Sequence, residues 1–223
     1  MVDINLNLIE PKILGNSQKG QDSLINAVFN HIGVTNKYYV EFGAYNGITF
    51  SNTSFLRVSG WSGLLLDPEY ENNSINLHKV FLTRENVLNV FKHFKVPTEF
   101  DFLSVDIDGN DYWILKEILS VYSPRVVMTE VNVRFNNTES YTQPYREDFT
   151  WDGRSWYGAS PLAMVKACSN YTPIHLYLDD LFLVRKDLCS EKSLSEIYPK
   201  PNPRLYDSHN APNIDYKNLW VSV

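Results

Sequence analysis

The chain predicts a doubly wound α/β fold of the Rossmann-like kind: a single domain over residues 1–223, with a seven-stranded, mostly parallel sheet ending in an antiparallel hairpin. Three observations predict it. Short apolar runs of strand type alternate with segments whose apolar residues recur at helical spacing, the pattern of parallel strands joined by crossover helices. Successive runs end in polar groups, at Glu41 and Gly43, at Asp67, at Asp106 and Asp108, and at Glu130. The last two runs meet at Asp179 and Asp180 with no helix between them, as in a hairpin.

Residues 1–19 show no period and read as an irregular lead-in. From Gln21, the residues Leu24, Ile25, Val28, Phe29 and Ile32 form one helical stripe, and Gly33 stands where that helix stops. KYYVEFGAYNG is a strand followed by a glycine turn, after which Ser51, Asn52 and Thr53 open a short helix reaching Gly60. The run 63–67 (GLLLD) is apolar and closes on an acid, and Pro68 stops it as a central strand. Next come a helix over 71–79, a brief third strand at 80–82, and a helix with Val87, Leu88, Phe91 and Phe94 on one side, broken by Pro97. The fourth strand lies in 102–113 (FLSVDIDGNDYW); its helix carries Leu115, Ile118, Leu119 and Tyr122, and Pro124 marks the end. The fifth strand, 125–132 (RVVMTEVN), brings Glu130 and Asn132 to the same sheet edge. Residues 133–158 form an aromatic, polar connection too long for an ordinary link, which marks a substrate loop or lid. A helix over 160–170, the hairpin over 172–187 and a surface-wrapping tail over 190–223 complete the chain.

Composition limits the function. With 43% hydrophobic and 21% charged residues in 223, the balance is that of a soluble globular protein. The net charge of -6 disfavours nonspecific nucleic-acid binding, which needs a cationic surface, and favours a neutral or cationic ligand. Cys168 and Cys189 are too few for a disulfide framework or a zinc site and read as reduced. The first residues lack a leader pattern and no run approaches the roughly 20 apolar residues of a membrane span, so the expectation is a cytoplasmic protein without nucleic-acid or membrane partners. No feature indicates an oligomeric state.

Ligands of doubly wound sheets sit at the carboxyl ends of the strands. There Gly43 and Gly47 let a ligand approach the backbone, the helix opened by Ser51, Asn52 and Thr53 offers N–H groups to an anion, and Asp67 is placed to accept both hydroxyls of a ribose. The turn G-A-Y-N-G after an acid departs from G-x-G-x-x-G, which disfavours NAD or FAD. A strand, then E-x-G-x-x-x-G, then an acid after the second strand resembles the first motif of class I S-adenosylmethionine-dependent methyltransferases. GQDSLINAVFNHIG, YYVEFGAYNGITFSNTSFLRVSGWSGLLLDPE, FDFLSVDIDGNDYWIL, TEVN and FTWDGRSWYGAS together resemble the FkbM-like methyltransferases, including modules that modify sugars, over about residues 17–190. The resemblance implies S-adenosyl-L-methionine as cofactor and a saccharide hydroxyl as acceptor. It implies that Gln21, Glu41, Gly43, Ala44 and Gly47 line the cofactor, that Asn52 and Thr53 lie near its methionine end, that Asp67 holds its ribose, and that Asp106 also contacts it. Adenine contacts would fall near Leu82 and Thr83.

Asp106, Asp108, Glu130 and Asn132 bring four oxygen-bearing side chains to neighbouring strand ends, a donor set suited to Mg, Ca or Mn. The arrangement resembles metal-dependent O-methyltransferases, which implies Asp106, Glu130 and Asn132 as ligands of Mg or Mn, although here Val131 splits the acid–amide pair. Alternatively Asp108, Asn110 and Asp111 form a turn and cap the next helix. Methyl transfer requires in-line alignment and removal of a proton, for which Asp106, Asp108 and His175 are the candidate catalytic bases, though a histidine within an apolar strand is more often structural. Tyr141, Tyr145, Trp151, Trp156 and Tyr157 suit stacking on sugar faces. Two other readings stay open: a metal-dependent glycosyltransferase using Asp106 and Asp108 as a D-x-D, and a noncatalytic binding module of the same fold.

Overall fold

The stripe from Leu24 to Ile32 folds as α1 (Gln21–Ile32) in the computed structural model, which describes residues 1–153, 157–199 and 220–223. There follow β1 (Tyr38–Phe42), α2 (Ser54–Val58), β2 (Ser62–Asp67), β3 (Leu77–Lys79), α3 (Val87–His93), β4 (Glu99–Val105), α4 (Asp111–Ile118) and β5 (Ser123–Glu130). Then come β6 (Tyr141–Thr142), α5 (Pro161–Ala167), β7 (Tyr171–Tyr177), β8 (Asp180–Arg185), α6 (Leu194–Ile197) and β9 (Val221–Ser222). Seven strands hydrogen-bond in the order β3-β2-β1-β4-β5-β8-β7. All pairs are parallel except β5–β8 and β7–β8. The predicted fold class is therefore the observed one.

Alternation along the strands separates two apolar layers. On one face Val127, Leu181 and Leu183 pack with Phe91 of α3, Ile114 and Ile118 of α4, and Met164 of α5. On the other, Val126, Met128 and Phe182 pack with Leu24, Ile25 and Val28 of α1 and with Ile4 and Leu6 of the lead-in. Each fully buried side chain of this size contributes roughly 1.5–3 kcal/mol, so both faces must be covered for the sheet to persist. At the amino-terminal edge, Asp101 of β4 pairs with Arg125 of β5 at 2.8 Å and accepts the N–H groups of Thr35, Asn36 and Lys37, which fixes the entry into β1. Among the described residues no helix is long and apolar enough to cross a membrane.

Three local expectations are corrected. The helix expected over 71–79 is one 3-10 turn, Asn73–Ile75, followed directly by β3; the strand expected at 80–82 thus begins three residues earlier. The cause is the polar run Asn72, Asn73, Ser74 and Asn76: Asn72 caps the turn and Asn76 adopts a left-handed conformation, choices that asparagine makes at little cost. Pro124 lies inside β5 rather than ending a helix, paired with Phe100 near the strand's start where a missing N–H is tolerated. Finally, the long connection contains β6, which pairs with β9, so part of the tail returns to that connection. Residues 200–219 of the tail lie outside the described residues, as does Trp156.

From β1 the chain runs outward to β2 and β3, then crosses to β4 on the other side, so the carboxyl ends of β1 and β4 flank the switch point where such sheets open a crevice. Gly43, just after β1, has φ +63°, and a Cβ there would lie 1.8 Å from the carbonyl oxygen of Asp106. Only glycine allows the two strand ends to approach this closely. Gly43→Ala is expected to destabilise the protein by about 2–4 kcal/mol in urea melts, whereas Gly60→Ala, also at positive φ but facing open space, costs about 1–2 kcal/mol. Equal losses would contradict the close-approach account.

Candidate functional site

A cavity of about 530 Å³ opens at the switch point, between the ends of β1, β2 and β4. Gly43, Tyr45, Asp67, Asp106, Asp108 and Asn110 form its polar side, and Leu66, Val80, Phe81, Leu82, Phe149 and Trp151 its apolar side. Asp67 is held rigidly: Oδ1 accepts the N–H groups of Glu69 and Tyr70 at 2.8 and 3.1 Å, and Oδ2 accepts that of Tyr45 at 2.7 Å. A carboxylate offers about four acceptor positions, so Asp67 retains acceptor capacity on Oδ2 toward the cavity.

Of the residues expected at the cofactor, Gly43, Asp67 and Asp106 line this cavity. Each of the others is bonded or packed within the fold. The carboxylate of Glu41 is buried and accepts hydrogen bonds from Ser51 Oγ, the Asn52 N–H and Thr53 Oγ1, binding the loop after β1 to the start of α2. Burial pushes its carboxyl up and those donors pull it back. Ala44 is buried with its N–H on Leu66 O, and Gly47 sits against Ile75 and Leu65. Gln21 donates from Nε2 to Asp180 Oδ2 at 2.8 Å and accepts the Lys19 N–H, joining the lead-in to the hairpin tip.

Oxygens of Asp106, Asp108 and Glu130 all lie within 4.8 Å of one another. Asp108 reaches this position with φ +54°, uncommon for a residue with a side chain and a feature that clusters at functional sites. The turn is fixed by Asp111, whose two oxygens accept the N–H groups of Ile107 and Gly109, and by Asn110, which donates to Arg146 O at 2.7 Å. The turn alternative thus holds for Asp111, Asn110 stands at the N-cap of α4 without a side-chain capping bond, and Asp108 faces the cavity. Burial, then Asp108, Asp111, Asp180 and Asp179, hold the Asp106 carboxyl well above the usual range; burial and Asp106 do the same to Glu130. Asp108 is pushed up to about 6 and Asp180 to about 7, in both cases chiefly by burial. A compact set of hard, anionic oxygens fits Mg2+ or Mn2+, whose charge would offset this repulsion.

Two expected members are corrected. Asn132 is not in the triad: β5 ends at Glu130, the Val131 N–H turns to Asp179 O, and Asn132 then faces the long connection. Its Nδ2 donates to Tyr157 O and its Oδ1 accepts the Arg134 N–H. Asp108 takes the third place instead. His175 lies on the edge strand β7 opposite Phe182, packed near Tyr177 and Phe182, and burial, then Lys192, lowers its pKa; it is not a member of the cluster of Asp106, Asp108 and Glu130. Of the loop aromatics, Trp151 lines the cavity, and Tyr157 packs on it and donates to Glu130 Oε1 at 2.9 Å. Tyr145 pins the loop to Arg84 and Glu85, and Tyr141 stacks on Phe135. The Tyr157–Glu130 contact and the wall of Phe81 and Phe149 were not foreseen, because aromatic content does not reveal which ring returns to the sheet edge.

A carboxyl whose pKa is raised by folding keeps its proton while the unfolded chain gives it up, so stability is lost as pH rises from the ordinary 3.8 through the folded value. In EDTA the melting temperature is expected to fall between pH 4 and pH 7, the window set by Asp108 and Asp180, and Asp108→Asn is expected to flatten it. A melting temperature that rises across that window would refute the repulsive cluster. No protein-family model matches the chain and no curated protein matches it, so its functional reading comes from these residues.

Proposed function

We propose that the protein is an S-adenosylmethionine-dependent O-methyltransferase that methylates a saccharide hydroxyl, assisted by Mg2+ or Mn2+ held by Asp106, Asp108 and Glu130. The observation that carries this reading is that one cavity at the switch point contains both an anchored acid after β2, Asp67, and the acids after β4. The first suits a ribose; the second suits cationic chemistry beside it. Leu66, Val80, Phe81 and Leu82 give the heterocycle an apolar wall next to Asp67. The fit to an adenosyl group is therefore good in both its polar and apolar parts.

The cofactor supplies an electrophilic methyl group on a sulfonium. The residues of the chain bind, orient and deprotonate. Asp106, Asp108 and Glu130 would hold the ion, which would polarise the acceptor hydroxyl, while Asp67 would fix the cofactor's ribose so that acceptor and methyl group are aligned. Asp108 lines the cavity beside Asp106 and is the residue placed to take the hydroxyl proton. Phe149 and Trp151 keep water from the cavity and offer flat faces to a sugar ring.

Calorimetry is expected to show micromolar binding of S-adenosylhomocysteine that Asp67→Ala abolishes, and Asp108→Asn is expected to slow methyl transfer to a saccharide panel by about 10²–10⁴-fold. Transfer unchanged after exhaustive EDTA treatment would remove the metal from the scheme. Tighter binding of a nucleotide sugar than of S-adenosylhomocysteine would favour the glycosyltransferase reading, and cofactor binding without turnover on any acceptor would favour the noncatalytic module.

A further inference from the structure

We propose that Tyr157 is a positioning residue for the cation, holding Glu130 by one oxygen and turning the other to the ion, and that Asn132 acts on the site only through Tyr157. The inference rests on the cation reading above, but concerns residues outside the triad. The Tyr157 hydroxyl donates to Glu130 Oε1 at 2.9 Å, which leaves Oε2 as the oxygen presented to an ion.

The tyrosine is itself held from two sides. Asn132 Nδ2 donates to the Tyr157 carbonyl oxygen at 3.1 Å, and the Asn132 N–H bonds Ala159 O at 2.8 Å, so the segment after β5 is tied to the returning end of the long connection. The ring lies against Trp151, with centroids 4.5 Å apart. Asn132 is thus joined to Glu130 by the chain Asn132–Tyr157–Glu130, with its other amide atom occupied by the Arg134 N–H. Loss of an outer partner that orients a ligating carboxylate commonly costs about 10–100-fold in metal affinity. Trp151, the ring against which Tyr157 packs, lines the cavity.

The test is an electron paramagnetic resonance titration of free Mn2+ against the full chain, freed of metal beforehand, with S-adenosylhomocysteine calorimetry on each variant as the check of folding. Tyr157→Phe keeps the ring against Trp151 and is expected to weaken Mn2+ by about 10–100-fold with cofactor affinity unchanged. Asn132→Ala is expected to weaken it less, and the double variant to match Tyr157→Phe alone, since residues acting through one contact are not additive. Mn2+ affinity unchanged in Tyr157→Phe overturns the proposal. A double variant weaker than Tyr157→Phe by the full Asn132→Ala factor makes Asn132 an independent ligand and overturns the second clause. Wild type that binds S-adenosylhomocysteine but not Mn2+ removes the cation and this inference together, leaving the cofactor reading intact. The expected Mn2+ pattern without cofactor binding sustains Tyr157 and sinks the methyltransferase reading instead.

Discussion

The repulsion among Asp106, Asp108 and Glu130 is the constraint around which this molecule is arranged. Unit charges about 4 Å apart interact by about 4 kcal/mol at an effective dielectric near 20, so a triad with oxygens within 4.8 Å keeps protons or takes a cation, and its geometry has to be held. The holding is done by neighbours. Gly43 lets the turn after β1 press against the Asp106 carbonyl, Asp111 fixes the backbone of the turn, and Tyr157 secures Glu130. Each of these contacts is local, and together they set three carboxyl groups around one point at the switch point of the sheet.

The acids of this chain fall into two groups by what donates to them. Glu41, Asp101 and Asp111 are buried and each collects two or more N–H or O–H donors, which satisfies the charge within the fold. Asp106 and Asp108 have no hydrogen-bond donor among the described residues, and Glu130 has the Tyr157 hydroxyl. Asp67 stands between the groups, anchored by three backbone donors yet still facing the cavity. A carboxylate supplied with donors builds structure; one denied them is available to a cation, a sulfonium or a hydroxyl proton. That distinction, rather than position at a strand end, separates Glu41 from Asp106.

The sheet and its order of elements were legible because period and strand-end chemistry are local properties: the stripe of α1, the run 63–67 and the hairpin meeting at Asp179 and Asp180 all formed where the residues indicated. The site was legible only in part. Spacing identifies Glu41 and Asp106 alike as acids after strands, but not that one turns inward to the α2 loop and the other to the cavity. Spacing likewise suggested Asn132 as a ligand, and the turn at Val131, set by a bond to Asp179 across the sheet, sends it elsewhere. His175 failed for the same reason: which strand becomes an edge is a matter of topology. Tyr157 was one aromatic among several in a long connection until the Asn132 and Ala159 contacts fixed where that connection returns.

The most direct measurement is anomalous diffraction from a crystal grown with S-adenosylhomocysteine and Mn2+. The account requires a manganese peak bounded by Asp106, Asp108 and Glu130, with the ribose of the cofactor on Asp67 and its heterocycle against Leu82 and Phe81. An ion found elsewhere, or cofactor lying outside the cavity at the ends of β1, β2 and β4, would contradict it.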